Sequence, residues 1–178
     1  MDDHLAVMRI LVGFVFLFAA IAHADFPMEG SIGPGAMVGT IGSISGKYFI
    51  TDVDAVDAGV EFMSSPWSVF YADYYRHFPR LFGKGTRFGR ETSAYLEVGV
   101  GAGFWDRTDT CGRWHCEWNK NTTGAGNGFF ARALAGLEWN PHKTHWAVFT
   151  EAGPSFLFMP VSGNAIDIAI GGRYYFSL

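Results

Sequence analysis

The final stretch of the chain, SGNAIDIAIGGRYYFSL (Ser162 to Leu178), alternates with a period of two. Ile166, Ile168, Ile170, Tyr174, Phe176 and Leu178 share one parity, broken only at Gly172, while Asp167, Ala169, Gly171, Arg173 and Tyr175 share the other. Side chains of a strand alternate faces, so this segment predicts a strand with one apolar face and one small or charged face. SAYLEVGVGAGFW repeats the pattern, with Ala94, Leu96, Val98, Val100, Ala102 and Phe104 against Tyr95, Glu97, Gly99, Gly101 and Gly103. So does GFFARALAGLEW, where Phe129, Ala131, Ala133, Ala135, Leu137 and Trp139 oppose Phe130, Arg132, Leu134, Gly136 and Glu138. VDAGVEFM sets Val56, Ala58, Val60 and Phe62 against Asp57, Gly59, Glu61 and Met63.

SVFYADYYRHF and THWAVFTEAGPSFLFM alternate less cleanly, with Asp73 and Glu151 on the polar parity, and the short SGKYFI carries Lys47. The weakest pattern lies around IGPGAMVGTIG, where Pro34 and several glycines interrupt it. Seven good strands and one weak one make an even set. Segments of about ten residues, apolar on one face and small or polar on the other, are the signature of an outer-membrane barrel. A terminal strand as apolar as Ile166–Leu178 needs lipid on its face and a partner along its edge, which closure onto the first strand supplies. The expected fold is therefore all-β, an eight-stranded antiparallel up-and-down transmembrane β-barrel. Ile166, Ile168 and Ile170 are expected to face hydrocarbon, with Tyr174 and Phe176 at an interface. Trp67, Trp105, Trp139 and Trp146 fall near strand ends, where aromatic girdles sit.

Composition sharpens this picture. Aromatics reach 17%, charged residues only 17%, and there are 23 glycines in 178 residues, which suits one domain of short strands better than a helical bundle. A soluble sandwich would show a Lys-, Glu-, Thr- and Ser-rich polar face; here that face is mostly Gly and Ala with single charges, as a crowded lumen requires. A net charge of -4 gives no reason to expect a nucleic-acid partner.

The N-terminus supplies the compartment. Arg9, the apolar run Ile10 to Ile21 and Ala22-His23-Ala24 form the three parts of a cleaved secretory signal, residues 1–24, leaving 25–178 as the barrel. The two acids of MDDHLAV sit where a signal carries positive charge, which argues that translation starts at Met8.

The polar parity collects Lys47, Asp57, Glu61, Asp73, Glu97, Arg132, Glu138, Glu151, Asp167 and Arg173, seven acids against three bases. Eight strands enclose a space just wide enough for side chains, so these charges are expected to form a salt-bridged plug rather than a cation path. Arg132 and Arg173 are expected among Glu97, Glu138, Glu151 and Asp167, because those residues lie on sequential neighbours.

Four stretches, SISGKYFI, YADYYRHF, FTEAGPSFLF and GGRYYF, resemble strand motifs of the small outer-membrane β-barrel proteins of Gram-negative bacteria, of the style GxSGKYW, ADYLWHF, FLEIAPGL and GIRYYF. The resemblance spans most of the mature chain. It implies an eight-stranded barrel in the outer membrane, surrounded by lipid and lipopolysaccharide and inserted by the barrel-assembly machinery through its C-terminal strand. It implies no catalytic signature and no cofactor. The terminal Ser177-Leu178 departs from the usual final Phe, although Leu178 keeps the apolar parity.

Two connections remain. Asp106 to Asn127 is long and polar, and contains Cys111 and Cys116. In an exported chain a disulfide between them is the default, ahead of a metal site drawn from Cys111, His115, Cys116 and Glu117. Such a loop on a rigid scaffold suits adhesion. Arg76 to Glu91 carries Arg76, Arg80, Lys84, Arg87 and Arg90, which reads as a solvated turn, or as a phosphate-facing cluster if the strand count shifts by one. Activity of the lipid A-modifying kind would need a histidine and a serine within reach of each other, and no histidine has a serine two residues on.

Overall fold

The computed structural model describes residues 29–40, 42–62, 67–83, 85–105, 126–142, 144–159 and 163–177. The strands are β1 (Ser31–Gly39), β2 (Gly42–Phe49), β3 (Asp54–Phe62), β4 (Trp67–Pro79), β5 (Thr92–Trp105), β6 (Gly126–Trp139), β7 (Trp146–Met159) and β8 (Gly163–Tyr174). A two-residue β9 (Phe176–Ser177) continues β8 after a break at Tyr175, and a short helix α1 (Arg87–Glu91) precedes β5. Each strand pairs antiparallel with the next, and β1 pairs with β2 on one side and with β8 and β9 on the other. The sheet is a closed eight-stranded antiparallel barrel, with the two-residue β9 as its small addition.

The segment with the weakest alternation thus forms a full strand, which settles the strand count. Pro34 lacks a backbone donor, and it falls at a gap in the ladder. The β1–β9 pairing ends at Ile32↔Phe176, and the β1–β8 pairing starts at Gly35↔Arg173. A missing N–H costs least in such a gap.

Alternation then sorts the side chains. Outward positions of the strands are apolar, from Ile44 and Val56 through Leu96, Val98 and Val100 to Ile166, Ile168 and Ile170, all exposed. Inward positions are close-packed. Gly59, Gly101, Gly136 and Gly171 stand directly across the ladder from Tyr71, Phe130, Tyr95 and Phe149, and a Cβ on any of these glycines would lie within 2.5 Å of that ring. Each glycine leaves the floor on which its partner's ring lies, the aromatic-over-glycine device of twisted sheets. This explains why so glycine-rich an inner face still fills the interior.

Candidate functional site

All ten charged residues of the polar parity are buried inside the barrel. They form three groups along its axis. At the rim where β1 begins and β8 ends, Lys47 Nζ donates to Glu138 Oε2 at 2.9 Å, and the Tyr175 hydroxyl donates to Glu138 Oε1 at 2.8 Å. Lys47 Nζ also stands 4.2 Å from the Tyr75 ring centroid and 5.1 Å from that of Tyr95. An ammonium buried this deeply requires such company, since an unpaired buried charge costs several kcal/mol.

Next to it, Arg173 donates to Asp57, which also accepts from Ser45 Oγ at 3.0 Å, and Arg173 Nη1 donates to the Gly33 carbonyl at 3.3 Å. Further along the axis, Arg132 grips Asp73 through Nε at 3.0 Å and through Nη2, and reaches Glu61 Oε1 from Nη1 at 2.9 Å. Glu97 Oε1 lies 3.2 Å from Arg132 Nε, and the guanidinium stacks 4.2 Å from the Tyr71 ring centroid. Glu151 accepts from the Tyr95 hydroxyl at 2.9 Å, and Asp167 accepts from Ser155.

The expectation that Arg132 and Arg173 sit among Glu97, Glu138, Glu151 and Asp167 holds for Glu97 beside Arg132 and is corrected for the other direct partners. Of the four acids expected, only Glu97 contacts Arg132, whose other partners come from β3 and β4, and Arg173 pairs with Asp57 of β3. The physical reason is reach. In so narrow a barrel an arginine spans the lumen, so partners are chosen across the interior rather than along the sheet.

The aromatic and hydroxyl partners Tyr71, Tyr75, Tyr95, Tyr175 and Ser155 belong to this network and were not singled out from the sequence. Their signal was present: each shares parity with a nearby charged lumen residue, Tyr71 and Tyr75 with Asp73, Tyr95 with Glu97, Ser155 with Glu151, and Tyr175, just beyond β8, with Arg173. His77 follows the same parity. Its Nδ1 lies 3.3 Å from Ser93 Oγ, but Ser93 is 0% exposed and donates to the Ala94 carbonyl at 3.1 Å. A nucleophile needs an open face for substrate, and this fully buried serine has none.

The exterior is the opposite of the interior. Among the described strand residues, the outward parity carries charge only at Asp54 and Arg76, which are register partners at the rim where β1 begins and β8 ends. Arg76 Nη1 donates to both Asp54 oxygens, at 2.7 and 2.8 Å. Thr150, in the middle of the apolar belt, donates its hydroxyl to the Ala169 carbonyl at 3.1 Å, so it presents no unmet donor. Tyr174 and Phe176 are half-buried on the outward parity at that same rim, their rings 4.9 Å apart, with Trp146 5.1 Å from Tyr174. Cys111, Cys116, His115, Glu117, Lys84, Leu178 and residues 1–24 lie outside the described residues, as do the side chains of Trp67 and Trp105.

With this geometry in view, the chain is similar to the N-terminal β-barrel domain of Pseudomonas aeruginosa OprF. The TM-score is 0.57 at 14% identity, over 84% of this chain and 100% of that one. It is also similar to a de novo designed transmembrane β-barrel, with a TM-score of 0.51 at 14% identity over 85% and 99% of the two chains. At such identities the likeness is one of fold. No protein-family model and no curated protein matches the chain.

Proposed function

We propose that this protein is an integral barrel of the bacterial outer membrane, a structural or surface scaffold whose interior is closed by a salt-bridged plug. One observation carries the reading: an apolar belt encircles the barrel, and among the described strand residues outward-facing charge is confined to one rim pair, while ten charged side chains point inward. A water-soluble barrel inverts that arrangement. Apolar patches beyond a few hundred Å² are rare on soluble monomers, and this belt is continuous around the sheet. The rim where β1 begins and β8 ends is taken as periplasmic, with β8 and β9 as the segment offered to the assembly machinery and the opposite rim facing lipopolysaccharide.

Cell fractionation combined with heat-modifiable gel migration tests the reading. Recovery in outer membranes with a mobility shift between unboiled and boiled samples is expected; release with the soluble periplasm contradicts it. The plug is tested separately in planar bilayers. Lys47–Glu138, Arg173–Asp57 and Arg132–Glu61 all cross the lumen, so no large stable conductance is expected.

A further inference from the structure

The connection between β4 and β5 is both basic and apolar. It exposes Leu81, Phe82 and Phe88 beside exposed Arg80, Arg87 and Arg90. Phe82 and Phe88 contact each other, with ring centroids 5.6 Å apart. Neither a solvated turn nor a core element would hold both classes outward. An element lying at the boundary between hydrocarbon and headgroups does.

Beneath this connection the barrel wall is depressed. Ala94, Ala135 and Ala152 on β5, β6 and β7 face outward between the larger Leu96 and Leu137, and Phe78, Leu81 and Phe82 close the groove at the rim. The groove runs from the apolar belt to the basic connection. A chain of bonds ties the connection to β6, the strand of Ala135 and Leu137. Arg87 Nε donates to Glu91 Oε1 at 2.9 Å, and Glu91 Oε2 accepts from Trp139 Nε1 at 3.2 Å, two residues beyond Leu137 on the same face. Arg87 is thereby held, through Glu91, toward the outward position of β6 that follows Leu137, with its side chain 76% exposed. Arg80 holds a left-handed backbone, φ 69°, where glycine would carry no steric cost.

From this geometry we infer a specific site for one anionic phospholipid of the surrounding leaflet. An acyl chain lies in the alanine-floored groove, and the headgroup phosphate lies among Arg80, Arg87 and Arg90. This rests on the reading that the apolar belt stands in a bilayer. Arginine suits a phosphate because its planar fork donates two parallel hydrogen bonds.

The test is native mass spectrometry of the full barrel, released from detergent after incubation with dioleoyl-phosphatidylglycerol or dioleoyl-phosphatidylcholine. One phosphatidylglycerol per barrel is expected to be retained over phosphatidylcholine, falling about fivefold for each arginine removed in Arg80→Gln and Arg87→Gln. Ala135→Phe fills the groove and is expected to lose the lipid, whereas Ala72→Phe, outward on β4 and away from the groove, is expected to keep it. Ala152→Leu fills the groove a second way if Ala135→Phe does not fold. Equal retention of the two lipids, or equal loss in groove-filling and Ala72→Phe barrels, overturns the site while leaving the membrane reading intact. Failure of the wild-type barrel to insert into phosphatidylcholine vesicles at all, read by heat-modifiable migration, overturns both.

Discussion

Lys47 and Glu138 meet at 2.9 Å although they project from β2 and β6, strands that stand opposite each other in the eight-stranded ring. Their ion pair is a strut across the diameter of the barrel. Both side chains are about 1% exposed, so neither charge has water to fall back on.

Breaking the strut from one side and from both gives different outcomes. Lys47→Met leaves the Glu138 carboxylate buried without its ammonium partner, held by the Tyr175 hydroxyl, and is expected to cost about 3–5 kcal/mol. Lys47→Met combined with Glu138→Leu replaces the pair by apolar volume and is expected to recover most of that loss. Urea titration of the refolded barrels in lipid vesicles measures both.

Arg132 gathers Asp73, Glu61 and Glu97, whereas Arg173 has one carboxylate in direct contact. Arg132→Met is therefore expected to destabilise more than Arg173→Met, since it strands three acids rather than one. The same urea titration orders them; an inverted order would mean that the acids around Arg132 are neutralised by other means.

How far this arrangement was legible in the sequence depends on what each step needs. Parity alone sorted lumen from exterior, because a strand has only two faces: Asp57, Glu97 and Glu138 went inward and Ile166, Ile168 and Ile170 outward without knowledge of any neighbour. Pairing needs a third dimension. Arg173 and Asp57 are 116 residues apart and lie on strands that are not adjacent, so no spacing rule connects them. The aromatic rings over Gly59, Gly101, Gly136 and Gly171 were equally hidden, because the register that sets ring over glycine depends on how the hairpins close.

Gly99 illustrates how little room the lumen has. A Cβ there would lie 1.5 Å from Asp73 Oδ1, the atom that accepts from Arg132 Nε. Gly99→Ala must displace that carboxylate and is expected to cost about 1–3 kcal/mol. Gly46 faces outward with nothing within 4 Å of its Cβ position, so Gly46→Ala is expected to change stability by less than about 0.5 kcal/mol. Equal effects at the two positions would mean the lumen adjusts as freely as the surface.

Glu91 joins the connection before β5 to the one after β6. It accepts from Arg87, from the Trp139 indole and from the His142 backbone N–H, and its own carbonyl accepts from Asn140 N at 2.8 Å. Those donors, the Arg87 bond first, hold its pKa below the ordinary carboxylate value. Because the folded pKa is the lower one, the stabilising contribution is complete above the unfolded value of about 4.3 and is lost as pH falls through the folded value. Amide exchange at His142, corrected for its intrinsic pH dependence, is expected to rise on acidification below about pH 4. Glu91→Gln is expected to abolish that added rise. A pH response unchanged in Glu91→Gln would assign it to another group.

The central claim is that the outward face of the sheet meets lipid and the inward face does not, and neighbouring residues of β8 test it most directly. Ile168 is 56% exposed on the outward face and Ala169 is 4% exposed on the inward face. The measurement is the unfolding free energy of Ile168→Ser and Ala169→Ser in lipid vesicles, with Ile168→Arg as the extreme case. Serine is expected to be tolerated at Ala169, whose register partner is the lumen acid Glu151, and to cost more at Ile168. Arginine at Ile168 is expected to cost about 2–4 kcal/mol, as for a charge near the bilayer midplane. An equal or reversed ranking of the two serine variants would contradict the account, because Ile168 would then not be facing hydrocarbon.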